Sequence, residues 1–267
     1  MQARAHYVDC FTALVVLFFV ADLSAPASCS SFDQSSCAKV SLEADAEVLR
    51  FANQLKSPDE EARRDAAIQL TQLKSDAAAA ALVSALTDPS PRVRAAVAAS
   101  LGERDEQSAV SSLASRLTAD KDKFVRKTIA YSLGRFSGSD RTAALVSALI
   151  EKDQEVRGAA AVSLGDHADA AAVPALSAAL YDKSPFVRAQ AAHALGVNKR
   201  DAIQAVPALI NLLSKDSDEE VRRQAATALG QIGDRSALAA LEQARRDKDP
   251  YLVEAAVDAI RTIEGRQ

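Results

Sequence analysis

The chain has 267 residues, of which 48% are hydrophobic and 25% are charged, so it is globular rather than intrinsically disordered. Its 32 basic and 36 acidic residues give a formal net charge of −4, which argues against binding to nucleic acid because phosphate backbones need a basic surface. Aromatic residues make up only 4% of the chain. An apolar set dominated by alanine favours helices, because alanine has the highest helix propensity and is depleted in sheets.

Residues 1–27 are predicted to be a secretory signal peptide. A run of twelve residues, 10–21, that is apolar apart from Thr12 follows a weakly basic start, and Ala25 and Ala27 occupy the small-residue positions of a cleavage site. Twelve helical residues cover only about 18 Å, well short of a hydrocarbon core of ~30 Å, which disfavours a membrane anchor. We therefore expect an exported chain, periplasmic or extracellular, that begins at Ser28 and has no membrane span.

Residues 28–42 are predicted to be a polar linker that contains Cys29 and Cys37. In an exported protein a disulfide could close this small loop, and two unpaired thiols are an equally weighted alternative. The Ala-Ser-Cys sequence that ends at Cys29 also resembles the end of a bacterial lipoprotein signal, although Pro26 departs from that pattern, so a lipid anchor at Cys29 is a third alternative. Neither a metal nor a cofactor is expected, because no histidine or further cysteine lies near this pair.

From residue 43 to residue 267 one sequence frame recurs with a period near 31 residues. It consists of an acidic residue, four further residues, Val-Arg, and then an alanine-rich stretch to Leu-Gly, and residues 182–196 show it most clearly. Its Val-Arg pairs are Val93-Arg94, Val125-Arg126, Val156-Arg157, Val187-Arg188 and Val221-Arg222. A weaker copy leads at Ala62-Arg63 and another closes at Val253-Glu254. Such a register predicts an all-α solenoid of about seven two-helix repeats.

Each repeat is predicted to divide into a first and a second helix. In the fourth repeat we expect a first helix at residues 140–151, with Asp140 as its N-cap, and a second helix at residues 154–165. Pro207 would lie inside the first helix of the sixth repeat, so that helix begins later or is kinked. An irregular junction is therefore expected around residues 197–207.

The second helix has one face that is constant between copies and one that varies. Advancing 100° per residue places the constant positions within an arc of about 140°, which predicts the core face. In the fifth repeat this core face comprises Val187, Ala191, Ala192 and Leu195. The variable face comprises Ala189, Gln190, His193 and Val197, and we expect it to line one continuous surface.

An acidic residue precedes each frame arginine by six positions. A guanidinium that reaches a carboxylate or the carbonyls of a helix end at every junction would satisfy polar groups that packing otherwise leaves unpaired. We therefore predict a structural role, rather than an anion-binding one, for these residues. They are Asp88, Arg94, Asp120, Arg126, Arg157, Asp182, Arg188, Asp216 and Arg222, with Glu151 in place of aspartate in the fourth repeat.

The frame resembles the HEAT repeat, in particular the short HEAT-like class first described in phycobilisome lyases, over about residues 43–265. The resemblance implies an α-solenoid whose second helices line the concave face, with a ladder of aspartate and arginine between repeats. Most members of this family are scaffolds or adaptors that bind other proteins, and a few are enzymes. The di-iron members take their ligands from His-Glu pairs, and none of His6, His167 and His193 precedes a glutamate here.

Two functional classes remain. We favour an exported, non-catalytic scaffold that binds another protein or peptide, of acidic character, on its concave face. The alternative is a lyase-type HEAT-repeat enzyme, or an enzyme accessory, that acts on a protein-bound cofactor. His193 beside Asp166 suggests a general base, but no nucleophile accompanies this pair, so we interpret them as unrelated polar residues.

The variable face is the predicted partner-binding surface. Its projecting residues are Lys127, Tyr131, Arg135, Gln190, His193, Arg223, Gln224 and Thr227. Small residues of the second and fourth repeats are expected to form the floor of a groove between them: Ala95, Ala96, Ala99, Gly158, Ala159 and Val162. Tyr131 is the one aromatic residue assigned to this face, and tyrosine and arginine are favoured anchors at protein interfaces.

Overall fold

The computed structural model describes residues 45–265, and every regular element within that range is a helix. The predicted signal peptide and the linker with Cys29 and Cys37 lie outside the described residues. The described residues belong to one compact unit.

The helices alternate between two layers. The first helices are α1 (45–54), α3 (Asp76–Ala85), α5 (Val110–Ala119), α7 (Ser139–Ala148), α9 (Val173–Ala179), α11 (Val206–Lys215) and α13 (Leu238–Ala244). The second helices are α2 (Glu60–Gln72), α4 (Pro91–Glu103), α6 (Lys123–Leu133), α8 (Gln154–Gly165), α10 (Pro185–Val197), α12 (Glu219–Ile232) and α14 (Pro250–Glu264). Each second helix packs on the second helices of its neighbours and, from the second repeat onward, on the first helix of its own repeat. The predicted α-solenoid is therefore confirmed.

Six of the seven second helices begin after a residue whose side chain caps the first turn, and α10 is the exception, because its N-cap Ser184 makes no such hydrogen bond. Asp59, Ser90, Asp122, Asp153, Asp218 and Asp249 each accept a hydrogen bond from a backbone N–H of the first helical turn. Proline occupies the first position of α4, α10 and α14, where its missing N–H is not needed. The turn that precedes each second helix is thus specified locally and repeats with the frame.

Successive second helices approach closely at their C-terminal ends. A Cβ atom on Gly102 would lie 2.9 Å from the Cβ atom of Ser132, and one on Gly230 would lie 2.6 Å from the Cα atom of Ala259. Real Cβ atoms do not tolerate such distances, so the glycine after the frame leucine permits this contact at these two junctions, whereas at Gly165 the nearest atoms would lie 3.4 Å away. The core beneath it is mostly alanine, valine and leucine, as the constant face predicted, and Val187, Ala191, Ala192 and Leu195 are fully buried.

The junction between the fifth and sixth repeats is irregular, as predicted. Lys199 has a φ angle of 50°, and a 3₁₀ helix spans Lys199–Ala205 before α11 begins. Pro207 therefore lies in the first turn of α11 rather than in its interior. Shorter 3₁₀ helices, at Gln107–Ala109, Ala170–Ala172 and Arg235–Ala237, precede α5, α9 and α13.

Two details of the sequence prediction are wrong. Helix α7 has Gly138 as its N-cap, with a φ angle of 101°, so Asp140 lies inside the first turn. A carboxylate there still favours the helix, because the N-terminal turn carries a partial positive charge. In the seventh repeat the frame begins one residue earlier than expected, because Leu252 and Ile260 are buried where valine and leucine stand in other copies.

Candidate protein-binding surface

Five arginines, from Arg63 to Arg188, each join two successive repeats. Arg94 donates to the two carboxylate oxygens of Asp120 in the next repeat at 2.7 and 2.8 Å, and to the backbone carbonyl of Asp88 in its own repeat at 2.8 Å. The equivalent side-chain pairs are Arg63–Asp88, Arg126–Glu151, Arg157–Asp182 and Arg188–Asp216. From Arg94 to Arg188, the acid six residues before each arginine thus supplies a carbonyl oxygen, and its carboxylate binds the arginine of the preceding repeat; before Arg63 the carbonyl comes from Ser57.

Three of the ladder carboxylates, Asp120, Asp182 and Asp216, have a lowered pKa in the folded protein. Burial alone would raise the pKa of Asp120, but hydrogen bonds from Arg94, from the backbone N–H of Asp122 and from Arg116 outweigh burial and lower it. The same opposition lowers the pKa of Asp182 and Asp216, whose main hydrogen-bond donors are Arg157 and Arg188. We call each arginine–carboxylate pair between two repeats a rung of the ladder. These three rungs therefore consist of charge-assisted hydrogen bonds at neutral pH.

The last rung departs from the prediction. Among residues 45–265, Arg222 donates only to the backbone carbonyls of Asp216 and Ser217, at 3.0 and 3.5 Å. Its neighbour Arg223, which was assigned to the binding surface, donates to the carboxylate of Asp249 at 2.7 and 3.1 Å. Asp249 is also the N-cap of α14, and the frame of that repeat is displaced, so the rung moves by one residue toward the variable face.

Two arginines outside the frame are structural, and sequence reasoning missed both. Arg141 is 1% exposed and donates to the carbonyls of Leu133 and Ser163. Burial lowers its pKa, as expected for a cation bound to carbonyls rather than to a carboxylate. Arg104 donates to the carbonyls of Leu70, Leu73 and Ser75 at the end of α2. Neither recurs with the repeat, so no internal comparison could reveal them.

We call the side of the second helices that carries the predicted binding residues the second-helix face. These residues are Lys127, Tyr131, Arg135, Gln190, His193, Arg223, Gln224 and Thr227. Four of its eight predicted binding residues already have intramolecular partners. Lys127 donates to Glu155 at 2.8 Å, and this hydrogen bond raises the pKa of Lys127. Gln224 donates to Glu220, and Thr227 donates to the carbonyl of Arg223. Tyr131, Arg135, Gln190 and His193 make no side-chain hydrogen bond or ion pair within residues 45–265.

The expected floor of small residues is largely closed. Ala95, Gly158 and Ala159 are buried, and a Cβ atom on Gly158 would overlap the ring of Phe186. Ala189, which was expected on the exposed side, is 2% exposed. The position two residues after the frame valine faces the next repeat, as the contacts Gly158–Phe186, Lys127–Glu155 and Arg223–Tyr251 show. Ala96, Ala99 and Val162 remain at least partly accessible.

The second-helix face carries more aromatic side chains than the sequence analysis assigned to it. Phe124, Phe186 and Tyr251 are 54%, 47% and 66% exposed in the first turns of α6, α10 and α14, and Tyr131 is 43% exposed. The guanidinium of Arg223 lies 5.0 Å from the ring centroid of Tyr251. The signal was visible, because the residue before the frame valine is aromatic in the third and fifth repeats.

Neither a metal site nor a membrane span was found among residues 45–265. No group of three or more His, Cys, Asp or Glu residues in this range is placed to hold a metal ion. No helix in the same range is long and apolar enough to cross a bilayer.

Paired helices in register, joined by a ladder of arginine and acid, define an α-solenoid protein. A family model for HEAT repeats matches residues 48–134, 142–205 and 196–261. The chain belongs to the HEAT-repeat family. No curated protein sequence matches it significantly.

Two solved structures share the fold, and a third is similar at a lower TM-score. An engineered protein is 22% identical, with a TM-score of 0.53, over 82% of this chain and 98% of its own. The Escherichia coli protein YibA is 19% identical, with a TM-score of 0.52, over 90% of this chain and 99% of its own. The phycocyanin lyase complex CpcE–CpcF from Nostoc sp. PCC7120 is 23% identical, with a TM-score of 0.49, over 81% and 93%. At these identities the likeness concerns the fold alone.

Proposed function

We propose that this protein is a non-catalytic scaffold that holds a segment of another protein along its second-helix face. The observation that carries the proposal is the set of four aromatic side chains, Phe124, Tyr131, Phe186 and Tyr251, that project from this face with 43–66% exposure. Aromatic residues make up only 4% of the chain, so four of them on one surface are a local enrichment. Aromatic residues are enriched at protein interfaces because they bury a large area on binding.

The chemistry of the partner segment follows from what the face leaves unpaired. Lys127 and Arg223 are already bound to carboxylates, so they contribute little free positive charge. Arg135 is exposed, one turn after Tyr131, and has no ion pair within the described residues. The partner segment is therefore apolar where it meets the aromatic side chains and acidic where it meets Arg135.

We propose further that the scaffold acts outside the cytoplasm, on the strength of the apolar run and the Ala-x-Ala sequence of residues 1–27. Mass spectrometry of the mature N-terminus tests this. A chain that begins at Ser28 supports export after signal cleavage, and a lipidated Cys29 supports export as a lipoprotein. Exported material that retains Met1 contradicts cleavage and favours an anchor.

A site-specific photocrosslinker tests the binding surface. We place benzoylphenylalanine at Tyr131 or Phe186, and at Ser147 on the exposed side of α7 as the control. In the native compartment, positions 131 and 186 should yield a discrete crosslinked protein that position 147 does not. Tyr131→Ala with Arg135→Glu should abolish the crosslink from position 186 while leaving stability within about 0.5 kcal/mol, as for surface changes generally. The same crosslink pattern from position 147 would contradict the surface assignment.

A further inference from the structure

The turns between the first and second helices form one edge of the solenoid, because the two helices of a repeat are antiparallel. We call this the turn edge and define it as residues 119–121, 150–152, 181–183, 215–217 and 246–248. Two of these turns present large apolar side chains to solvent. Ile150 is 87% exposed and Tyr181 is 68% exposed, more than any aromatic residue of the second-helix face.

In both of these turns the acidic side chain is bound to an arginine of the ladder. Ile150-Glu151-Lys152 and Tyr181-Asp182-Lys183 follow the same order of apolar residue, acid and lysine. The carboxylate of Asp182 accepts from Arg157 at 2.7 and 2.9 Å, and that of Glu151 accepts from Arg126 at 3.4 Å. The acid of each turn therefore points inward, and the apolar side chain and the ammonium group remain outside.

Free positive charge accumulates along the same edge. Its exposed cations are Lys121, Lys152, Lys183, Lys215, Arg246 and Lys248. None of them forms an ion pair with any residue between 45 and 265. The acids outside the ladder are Asp122, Asp153 and Asp218, which cap the second helices, and Asp247, which accepts a hydrogen bond from the backbone N–H of Asp249. The edge is thus cationic although the whole chain carries a formal net charge of −4.

We propose that the turn edge docks on the surface of an anionic lipid bilayer. Apolar side chains that project beyond a row of lysines suit the boundary between acyl chains and headgroups, and tyrosine is enriched at that depth. Lysines near an anionic leaflet are attracted to it. A peptide partner would need a groove, whereas Ile150 protrudes, and a polyanion alone would gain nothing from Ile150 or Tyr181. This surface is separate from the second-helix face.

A tryptophan reporter tests the proposal, because the chain has no native tryptophan. We compare Ile150→Trp and Tyr181→Trp with Ile203→Trp. Ile203 is an exposed apolar residue of the opposite edge, which is formed by the segments between each second helix and the next first helix. Vesicles of phosphatidylcholine mixed with phosphatidylglycerol should shift the emission of positions 150 and 181 to the blue and protect them from acrylamide. Position 203 should not respond, nor should any position with pure phosphatidylcholine. Insertion of residues 10–21 alone would leave positions 150 and 181 in water.

Charge variants in the full chain complete the test. In the Ile150→Trp background, Lys121→Gln, Lys152→Gln and Lys183→Gln together should weaken vesicle binding about 100-fold, at about fivefold per lysine. The matched control changes three exposed cations of the opposite edge, Lys199→Gln, Arg200→Gln and Arg235→Gln, and should leave binding unchanged. The proposal is overturned by an absent response at positions 150 and 181, by an equal response at position 203, or by an equal weakening in the control. An identical blue shift with soluble polyglutamate also overturns it and indicates an acidic protein partner.

Discussion

Between the second and third repeats, the rung is Arg94–Asp120, and the side chains of these residues are 9% and 0% exposed. Between the sixth and seventh repeats, the rung is Arg223–Asp249, and the arginine side chain is 27% exposed. The first pair uses the frame arginine. The second uses the residue after the frame arginine, which lies nearer the second-helix face. The junction therefore requires a guanidinium that bridges two repeats, and it tolerates a change in the position that supplies it.

Removing the buried rung should have the largest effect. Arg94→Ala leaves the Asp120 carboxylate buried with Arg116 as its remaining side-chain donor. We expect a loss of about 3 kcal/mol in the free energy of unfolding, measured with urea, because breaking one side of a buried ion pair strands a charge. Arg92→Ala, at an exposed position of the same helix, should cost no more than about 0.5 kcal/mol. Equal losses in the two variants would refute a stabilising rung.

Both junctions should depend alike on the glycine that follows the frame leucine. Gly230→Ala would place a Cβ atom 2.6 Å from the Cα atom of Ala259, so the two helices must separate. We expect a loss of about 2 kcal/mol, as for overpacking in a core, measured by urea unfolding. Ala99→Ser, on an exposed position of a second helix, is the control. An unchanged stability for Gly230→Ala would mean that the helices adjust at no cost.

Acid should weaken the frame rungs. The pKa of Asp120, Asp182 and Asp216 is lowered in the folded protein, so their contribution to stability is present above the unfolded pKa of about 4 and is lost as pH falls through the folded pKa. The free energy of unfolding should therefore be level near neutral pH and fall in acid. Asp120→Asn should be less stable at neutral pH and show a shallower fall. A parallel pH profile in the variant would contradict this account.

The smallest effects separate the two arginines of the last junction. Arg223→Ala should lower the Tm more than Arg222→Ala, because Arg223 binds the carboxylate of Asp249 and Arg222 binds only carbonyls. Neither change should match Arg94→Ala. The crosslink from position 131 should survive Arg223→Ala, since that side chain is engaged within the protein. The reverse Tm order would mean that Arg222, rather than Arg223, is the arginine that stabilises this junction.

Much of the fold was predictable because each repeat is specified locally. Helix α8 spans residues 154–165, as the sequence predicted, and the core positions follow from helical periodicity. The carboxylate partner of each arginine was not predictable, because a regular spacing along one repeat does not say which neighbour a side chain reaches. Arg94 illustrates this, since its own Asp88 supplies a carbonyl and the next repeat supplies the carboxylate.

The binding surface was predicted less well, for a related reason. A helical wheel describes one helix alone, whereas the burial of Ala189 and the pairing of Lys127 depend on the adjacent second helix. The wheel also places Tyr131 correctly at an exposed position, but the predicted surface comprises only positions after the frame valine, whereas Phe124 and Phe186 stand immediately before it.

The rungs also determine whether copies of this chain can stack end to end. The first repeat supplies an arginine, Arg63, but has Ser57 where later copies have an acid. The seventh repeat supplies an acid but has Val253 where the arginine would stand. A contact between the seventh repeat of one copy and the first repeat of another would therefore lack both halves of a rung at the frame positions.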